Sequence, residues 1–176
     1  TRSVFFKDMH IPKSAVLGNP SKGFKQFLKT LTGGRITIGA LGLGTAQGAF
    51  ARALEYSQER EAFGKSINKF QGISFKLSDM ATQIEAARHL VYYAAWKKDQ
   101  GLPVIREAAM AKLFSSETAM QVTTEAIQVL GGYGYIKEYD VERFFRDAKI
   151  LEIGEGTSEI QRMIIARDLI QSVQTV

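Results

Sequence analysis

The sequence predicts an all-α domain, an up-and-down bundle of about four to five helices preceded by a short extended segment. Residues 73–94 place apolar side chains at alternating steps of four and three, as in a helix packed along its length against others. The chain has only three prolines, two of them in the first 20 residues, so few breaks interrupt it. Short loops between long amphipathic stretches favour antiparallel neighbouring helices.

The chain divides near residue 20. Residues 1–20 predict a short strand at residues 4–6, a turn and an extended segment. A single strand cannot form a sheet, so we expect this piece to be the remnant of a β-domain with its other strands elsewhere. Residues 21–176 are expected to form the helical bundle, with Ser21 as the first N-cap. Apolar periodicity and the glycine and proline positions predict helices over residues 22–60, 70–100, 104–130, 141–148 and 157–171.

The first predicted helix carries several glycines in its middle. A glycine costs a helix interior up to about 1 kcal/mol relative to alanine. Close approach of another helix or of a ligand would compensate for that cost. The glycines are Gly34, Gly39, Gly42, Gly44 and Gly48.

The composition excludes several kinds of site. The chain has no cysteine, which excludes disulfides, thiolate metal sites, iron–sulfur clusters and a cysteine nucleophile. Its two histidines, His10 and His89, lie far apart in sequence, and we predict no metal site. Catalysis would therefore depend on a carboxylate, a hydroxyl, a cationic side chain or a bound cofactor.

The chain is moderately basic, with a formal charge of +5 from 23 Lys and Arg against 18 Asp and Glu. The basic residues are dispersed, which favours an ordinary solvated surface over a nucleic-acid interface. No apolar run approaches the roughly 20 residues needed to cross a bilayer. We therefore expect a soluble intracellular protein with no nucleic-acid partner and no membrane span.

The densest polar and glycine-rich segment is residues 151–162, where Glu155 stands between Gly154 and Gly156. Glycine on both sides lets a ligand approach this carboxylate closely, and apolar surroundings would make it a stronger base at neutral pH. The alternative is an acidic residue placed beside a helix N-terminus, which the macrodipole favours. Glu159, in the first turn of the last predicted helix, fits this alternative better.

A second glycine-rich segment begins at Gln128 and contains Gly131 and Gly132. Exposed backbone N–H groups there could hold an extended ligand, although a helix C-cap followed by a turn explains the same pattern. Arg60, ahead of a loop at residues 63–65, could offer its guanidinium to a phosphate or could be an ordinary surface arginine. Neither segment alone decides the function.

Together these motifs resemble the C-terminal helical domain of the acyl-CoA dehydrogenase family, in the family's order and over essentially the whole chain. The opening residues also resemble the last strands of that family's middle β-domain. The family carries an Arg-x-x-Phe-Gly element with a following Gln, a Gln-x-x-Gly-Gly-x-Gly-Tyr signature and a Glu-Gly-Thr-Ser-Glu segment. The matching positions are residues 60–64 with Gln71, residues 128–135 followed by Glu138, Arg143 and Asp147, and residues 155–159.

The resemblance implies FAD-dependent α,β-dehydrogenation of a saturated acyl-CoA thioester. In that chemistry a carboxylate removes the α-proton, and the β-hydrogen leaves as hydride to flavin N5. By family position Glu155 is the base, Gly156 lies beside the substrate, and Arg35 lies near the CoA portion. Some relatives place the base at the position of Gly34, which cannot act as one. The positions that match FAD contacts are Arg60, Phe63, Gln71, Gln128, Gly131, Gly132, Thr157, Ser158 and Glu159.

Two positions depart from the family pattern. Gly154 precedes the base where many members have tyrosine, and Thr32 stands where aspartate is common. The first departure leaves the acyl chain length open, and the second leaves one substrate contact open.

The resemblance also implies partners. We expect an acyl-CoA substrate, an electron-transferring flavoprotein as acceptor, a homotetramer, and a location in the bacterial cytoplasm or the mitochondrial matrix. Because the family also has an N-terminal helical domain and a middle β-domain, this chain alone is expected to carry half an active site and to be inactive or nearly so. The alternative is a non-catalytic assembly module that uses the same bundle only to associate.

Overall fold

The computed structural model describes residues 2–173 as a bundle of five α-helices with one short β-hairpin. The predicted all-α bundle is confirmed. Within this part of the chain, no helix has both the length and the apolar character needed to cross a bilayer. The elements are α1 (Gly23–Glu59), β1 (Glu61–Ala62), β2 (Lys65–Ser66), α2 (Gln71–Asp99), α3 (Ile105–Leu130), α4 (Val141–Ile153) and α5 (Ser158–Val173).

Helix α3 lies at the centre of the bundle and packs against each of the other four helices. Small side chains along α3 let these neighbours approach closely. They form a stripe of fully buried residues, Ala108, Ala111, Ser115, Ala119 and Ala126. The helices that carry candidate site residues are therefore placed relative to α3.

The apolar seam predicted on α2 is confirmed. Ile73, at its start, is partly buried against the core. The rest of the seam is buried, and consists of Leu77, Met80, Ile84, Ala87, Val91 and Ala94. At the edge of this contact, Lys76 on α2 forms an ion pair with Glu125 on α3.

Two of the α1 glycines face the backbone of α3. A Cβ added at Gly39 would lie 3.2 Å from the Ala111 carbonyl oxygen, and one at Gly42 would lie 2.9 Å from the Ser115 carbonyl oxygen. A backbone carbonyl cannot rotate away, so side chains there would push the helices apart. Close helix approach therefore compensates for glycine at these two positions, whereas nothing lies within 4 Å of a Cβ at Gly44.

The start of α1 differs from the prediction. Ser21 is not its N-cap, because the helix begins at Gly23 without a side-chain cap. Instead, the Asn19 side chain accepts a hydrogen bond of 2.9 Å from the Ser21 N–H in the preceding 3₁₀ turn, Pro20–Lys22. The capping residue thus serves this short turn rather than α1.

Helix α4 is longer than predicted. It ends at Ile153 rather than at residue 148, because Leu151 is buried in the core and the break comes only at Gly154. The extra turn carries the chain directly to Glu155.

The segment after α1 was predicted as a loop, but residues 61–66 form a hairpin in which β1 pairs antiparallel with β2. Its two turn residues, Phe63 and Gly64, have φ values of 51° and 80°. Two central residues with positive φ match the twist of a two-residue hairpin.

Residues 2–12 form no strand within the described part of the chain, and their side chains are exposed. The expected strand at residues 4–6 is therefore absent there. The assignment of residues 1–20 to a β-domain stays a prediction, because no sheet of such a domain lies among residues 2–173.

Glu107, in the first turn of α3, ties α3 to the end of α2. Its carboxylate lies 2.7 Å from Lys97 Nζ and 3.6 Å from the Arg106 guanidinium, and its side chain is only 12% exposed. Burial alone would raise the pKa of Glu107, but hydrogen bonding, chiefly from Lys97, outweighs it and holds the pKa below its ordinary value of 4.5. The lowered pKa stabilises the fold at pH values above the pKa of Glu107 in the unfolded chain. This stabilisation is lost as the pH falls through the pKa of Glu107 in the folded chain.

We expect Glu107→Gln to lower the free energy of unfolding by about 1 kcal/mol at pH 7. The difference from the unmodified chain should shrink as the pH falls from 4.5 through the lower pKa of the folded state, below which the carboxylate is protonated in both states. Urea denaturation at a series of pH values measures this. Glu55→Gln, which removes an exposed pair with Arg52, is the control and should change little at any pH. A pH-independent difference for Glu107→Gln would contradict the ion-pair explanation.

Candidate active site

The turn between α4 and α5 places Glu155. Gly154 ends α4, and its N–H donates to the Ile150 carbonyl at 2.7 Å. Glu155 then has a φ of 53° and Gly156 a φ of 95°, so two successive residues lie in the left-handed region. This conformation costs a non-glycine residue roughly 1–2 kcal/mol. Contacts around the turn must therefore hold it.

Glu155 lies in a cleft of about 500 Å³ between the N-terminal half of α1 and helix α5. Its carboxylate rests over Gly34, where any side chain would overlap it. Apolar side chains line the cleft, but the Glu155 side chain itself is exposed in this chain, because the cleft is open to solvent. The apolar walls of the cleft include Leu28, Leu31, Ile105, Ile160, Met163 and Ile164.

Arg35 supplies a buried positive charge to this cleft. Its side chain is 7% exposed, and its Nε has no hydrogen-bond partner among the described residues. Burial lowers the pKa of the Arg35 guanidinium, and the negative charge of Glu155 opposes that shift. Arginine nevertheless stays protonated in proteins. The structure thus brings Glu155, Gly156 and Arg35 together around one cleft, where a cation and a carboxylate can act on the same ligand.

Thr157 and Glu159 stabilise the N-terminus of α5. Thr157 Oγ1 accepts a hydrogen bond from the Ile160 N–H at 3.4 Å, as an N-cap does. A hydrogen bond with the Thr157 side chain holds the pKa of Glu159 below its ordinary value of 4.5. Neither residue lines the cleft, and the helix-start interpretation holds for Glu159. Ser158 is buried, with no hydrogen-bond partner for its Oγ among the described residues.

Two buried polar side chains that the sequence did not single out hold the Glu155 turn. Lys112 on α3 is fully buried, and its Nζ donates to the Gly156 carbonyl at 2.9 Å. Gln161 on α5 is also fully buried, and its Nε2 donates to the same carbonyl at 2.8 Å and to the Glu155 carbonyl at 3.3 Å. A charged residue within the small-residue stripe of α3 was the sequence signal that could have identified Lys112.

The other predicted residues meet at the opposite end of α1. A cavity of about 620 Å³ lies between the hairpin, the start of α2 and a 3₁₀ turn, Gly131–Tyr135, and is lined by Arg60, Phe63, Gly131 and Gly132. The Arg60 guanidinium lies 5.9 Å from the centroid of the Tyr133 ring. Aromatic and apolar walls with one cation suit a planar ring system that carries phosphate.

The remaining predicted contacts lie beside this cavity. Gln71 is the first residue of α2 and Gln128 lies in the last turn of α3, and both are exposed without lining the cavity. Gly131 has a φ of 60° and caps α3, so the C-cap interpretation of this segment is confirmed. The cap leaves room for a ligand, because nothing lies within 4 Å of a Cβ built at Gly131 or Gly132.

The two groups of residues are far apart within one chain. Arg35 lies in α1 and Arg60 is its C-cap, about 25 residues further on, which corresponds to roughly 37 Å of helix. One chain therefore cannot bring the Arg60 cavity and Glu155 to the same small ring system. The chain therefore carries two separate groups of candidate site residues, one at each end of α1.

Residues 21–170 match the family model described as acyl-CoA dehydrogenase, C-terminal domain. The chain belongs to the acyl-CoA dehydrogenase family and contains its C-terminal helical domain.

Two relatives show the extent of the match. The probable acyl-CoA dehydrogenase YngJ of Bacillus subtilis (strain 168) is 55% identical over 171 residues, which cover 97% of this chain and 45% of that protein. The short-chain specific acyl-CoA dehydrogenase of Megasphaera elsdenii is 53% identical over 171 residues, again covering 97% of this chain and 45% of that protein. The chain thus spans less than half the length of these curated relatives.

Solved structures have the same fold. Butyryl-CoA dehydrogenase from Megasphaera elsdenii matches with a TM-score of 0.91 and 54% identity, covering 94% of this chain and 43% of that one. A chain in a structure described as the electron transferring flavoprotein of Acidaminococcus fermentans matches with a TM-score of 0.92 and 52% identity, covering 93% of this chain and 43% of that one. PigA with FAD and proline matches with a TM-score of 0.88 and 35% identity, covering 93% and 43%.

Proposed function

We propose that this chain is the C-terminal part of an FAD-dependent acyl-CoA dehydrogenase that oxidises a saturated acyl-CoA to its α,β-unsaturated product. The observation that carries the proposal is the cleft in which the Glu155 carboxylate and the Arg35 guanidinium face one ligand space between apolar walls. Butyryl-CoA is the substrate that we favour, because the matching Megasphaera elsdenii sequence is described as short-chain specific and the matching structure from that organism as a butyryl-CoA dehydrogenase.

In the proposed reaction Glu155 takes the proton from the carbon next to the thioester carbonyl. The carboxylate rests over Gly34, so no side chain of α1 stands between it and the cleft. Arg35 offers a fixed positive charge to the CoA portion of the substrate, close to the carboxylate. The redox chemistry that these side chains lack, acceptance of the β-hydrogen as hydride, would come from bound FAD.

The residues at the other end of α1 fit FAD. The cavity of about 620 Å³ offers apolar walls, the guanidinium of Arg60 and the open backbone at Gly131 and Gly132. Because this half-site lies roughly 37 Å along α1 from the Glu155 half-site, we propose that two copies of the protein complete each active site. A homotetramer is the assembly that we favour. An electron-transferring flavoprotein is the proposed acceptor, since a neighbouring structure carries that description.

We expect the complete protein that carries this chain to show the visible spectrum of FAD and to lose that absorbance when butyryl-CoA is added without oxygen. Octanoyl-CoA, tested in parallel, measures the preference for short acyl chains. The 176-residue chain alone should neither retain stoichiometric FAD nor oxidise butyryl-CoA. A complete protein that forms an oligomer without FAD would support the assembly-module alternative and refute the enzymatic one.

A further inference from the structure

The turn that presents Glu155 depends on contacts from other elements to keep its conformation. Glu155 and Gly156 are both in the left-handed region, with φ values of 53° and 95°, and a free glutamate would leave that region. Their two carbonyl groups accept hydrogen bonds from buried side chains of two different helices. A Cβ at Gly156 would lie 3.0 Å from Gln161 Nε2, so glycine also permits this close contact. The backbone of the turn is therefore fixed from α3 and α5 together.

Using Lys112 as the donor to a carbonyl group carries a desolvation cost, because its charged side chain must be buried. Its side chain is fully buried, and Gln161 already donates to the same oxygen. Burial lowers the pKa of the Lys112 ammonium, and nearby carboxylates on α3, α4, the turn and α5 oppose that shift. Those carboxylates belong to Glu117, Glu152, Glu155 and Glu159, and the other charges near them are Arg35, Lys149 and Arg162. The lysine thus puts a positive charge inside an acidic cluster that includes Glu155.

We propose that Lys112 and Gln161 are positioning residues, which hold the Gly156 carbonyl and so fix the turn that presents the Glu155 carboxylate over Gly34. This inference rests on the proposed function, because it gives these residues a role in aligning the base. Misplacement of a reacting group by about 1 Å can slow a reaction about 100-fold. Holding the turn from two helices prevents such a displacement.

The test uses Lys112→Met, which keeps much of the stem volume but removes the donor and the charge, and Gln161→Met, which removes the amide alone. In the complete flavoprotein, both variants should slow flavin reduction by butyryl-CoA about 10- to 100-fold. In both variants the loss should fall on kcat rather than on KM, because a displaced base slows proton removal without weakening substrate binding.

A second measurement does not depend on activity. Amide hydrogen exchange in residues 154–158 should become about 10-fold faster in both variants, whereas the protection of α1 and α2 should not change. Lys76→Met is the matched control, since it also removes a lysine that contacts α3 but touches no part of the turn. It should leave both the reduction rate and the exchange of residues 154–158 as they are.

The outcomes separate this inference from the proposed function. If the unmodified flavoprotein is not reduced by any acyl-CoA, the proposed function fails, and the exchange measurement still tests whether Lys112 and Gln161 hold the turn. If the unmodified protein is reduced, and both variants match it in kcat, KM and exchange, the positioning role is refuted. Should Lys112→Met not fold, Gln161→Met decides by the same rate and exchange measurements.

Discussion

Replacing Glu155 with glutamine is expected to leave FAD bound and to slow its reduction by butyryl-CoA about 100- to 10,000-fold, the range by which a positioned general base contributes. Glutamine has nearly the shape of glutamate, so the turn held by Lys112 and Gln161 should persist. Its neutral amide cannot take the α-proton. The variant therefore removes the chemistry of the half-site while keeping its structure.

Stopped-flow absorbance of the flavin band, recorded without oxygen, measures the reduction rate in the Glu155→Gln variant. The control is Glu142→Gln, which makes the same chemical change on α4 at a residue that pairs with Arg146 and does not line the cleft. That control should be reduced at the rate of the unmodified protein. Reduction of Glu155→Gln at the same rate would show that another group is the base.

Replacing Gly42 with alanine is expected to lower the free energy of unfolding by about 1–3 kcal/mol. The new Cβ would lie 2.9 Å from the Ser115 carbonyl oxygen and 3.3 Å from the Ser116 backbone nitrogen, and neither atom can rotate away. Helix α1 would have to move off α3, although alanine gains up to about 1 kcal/mol in helix propensity. The steric cost is expected to exceed that gain.

Gly44→Ala is the matched control, two residues along the same helix. Nothing lies within 4 Å of a Cβ there and the position is exposed, so only the propensity gain remains and the chain should be stabilised by up to about 1 kcal/mol. Chemical denaturation of both variants gives the comparison. Stabilisation by both alanines would show that α1 and α3 are not in close contact at Gly42.

The helices were largely predictable because their signals are local. The apolar seam of α2 correctly predicted which face of the helix is buried. Gly101 and Gly131 mark breaks near the ends of α2 and α3. The hairpin was missed because Phe63 occupies a left-handed turn position that rarely takes a bulky side chain. The end of α4 was placed too early because only the packing of Leu151 shows that the helix continues.

The site was less predictable, because its geometry depends on tertiary contacts. Sequence patterns left Glu155 with two interpretations, and the resemblance to a family favoured the base. The pairing of Glu155 with Arg35 in one cleft joins residues far apart in the chain, which no local pattern encodes. Lys112 and Gln161 escaped notice because such long polar side chains usually lie on the surface.

The separation of the two half-sites along α1 has a genetic consequence. Under the proposed arrangement, an allele that destroys Glu155 and an allele that destroys Arg60 damage opposite ends of the subunit. A mixed oligomer of the two products joins an intact end of one to an intact end of the other, so that co-expression in one cell restores activity that neither allele supplies alone. Two alleles with lesions at the same end cannot complement each other in this way.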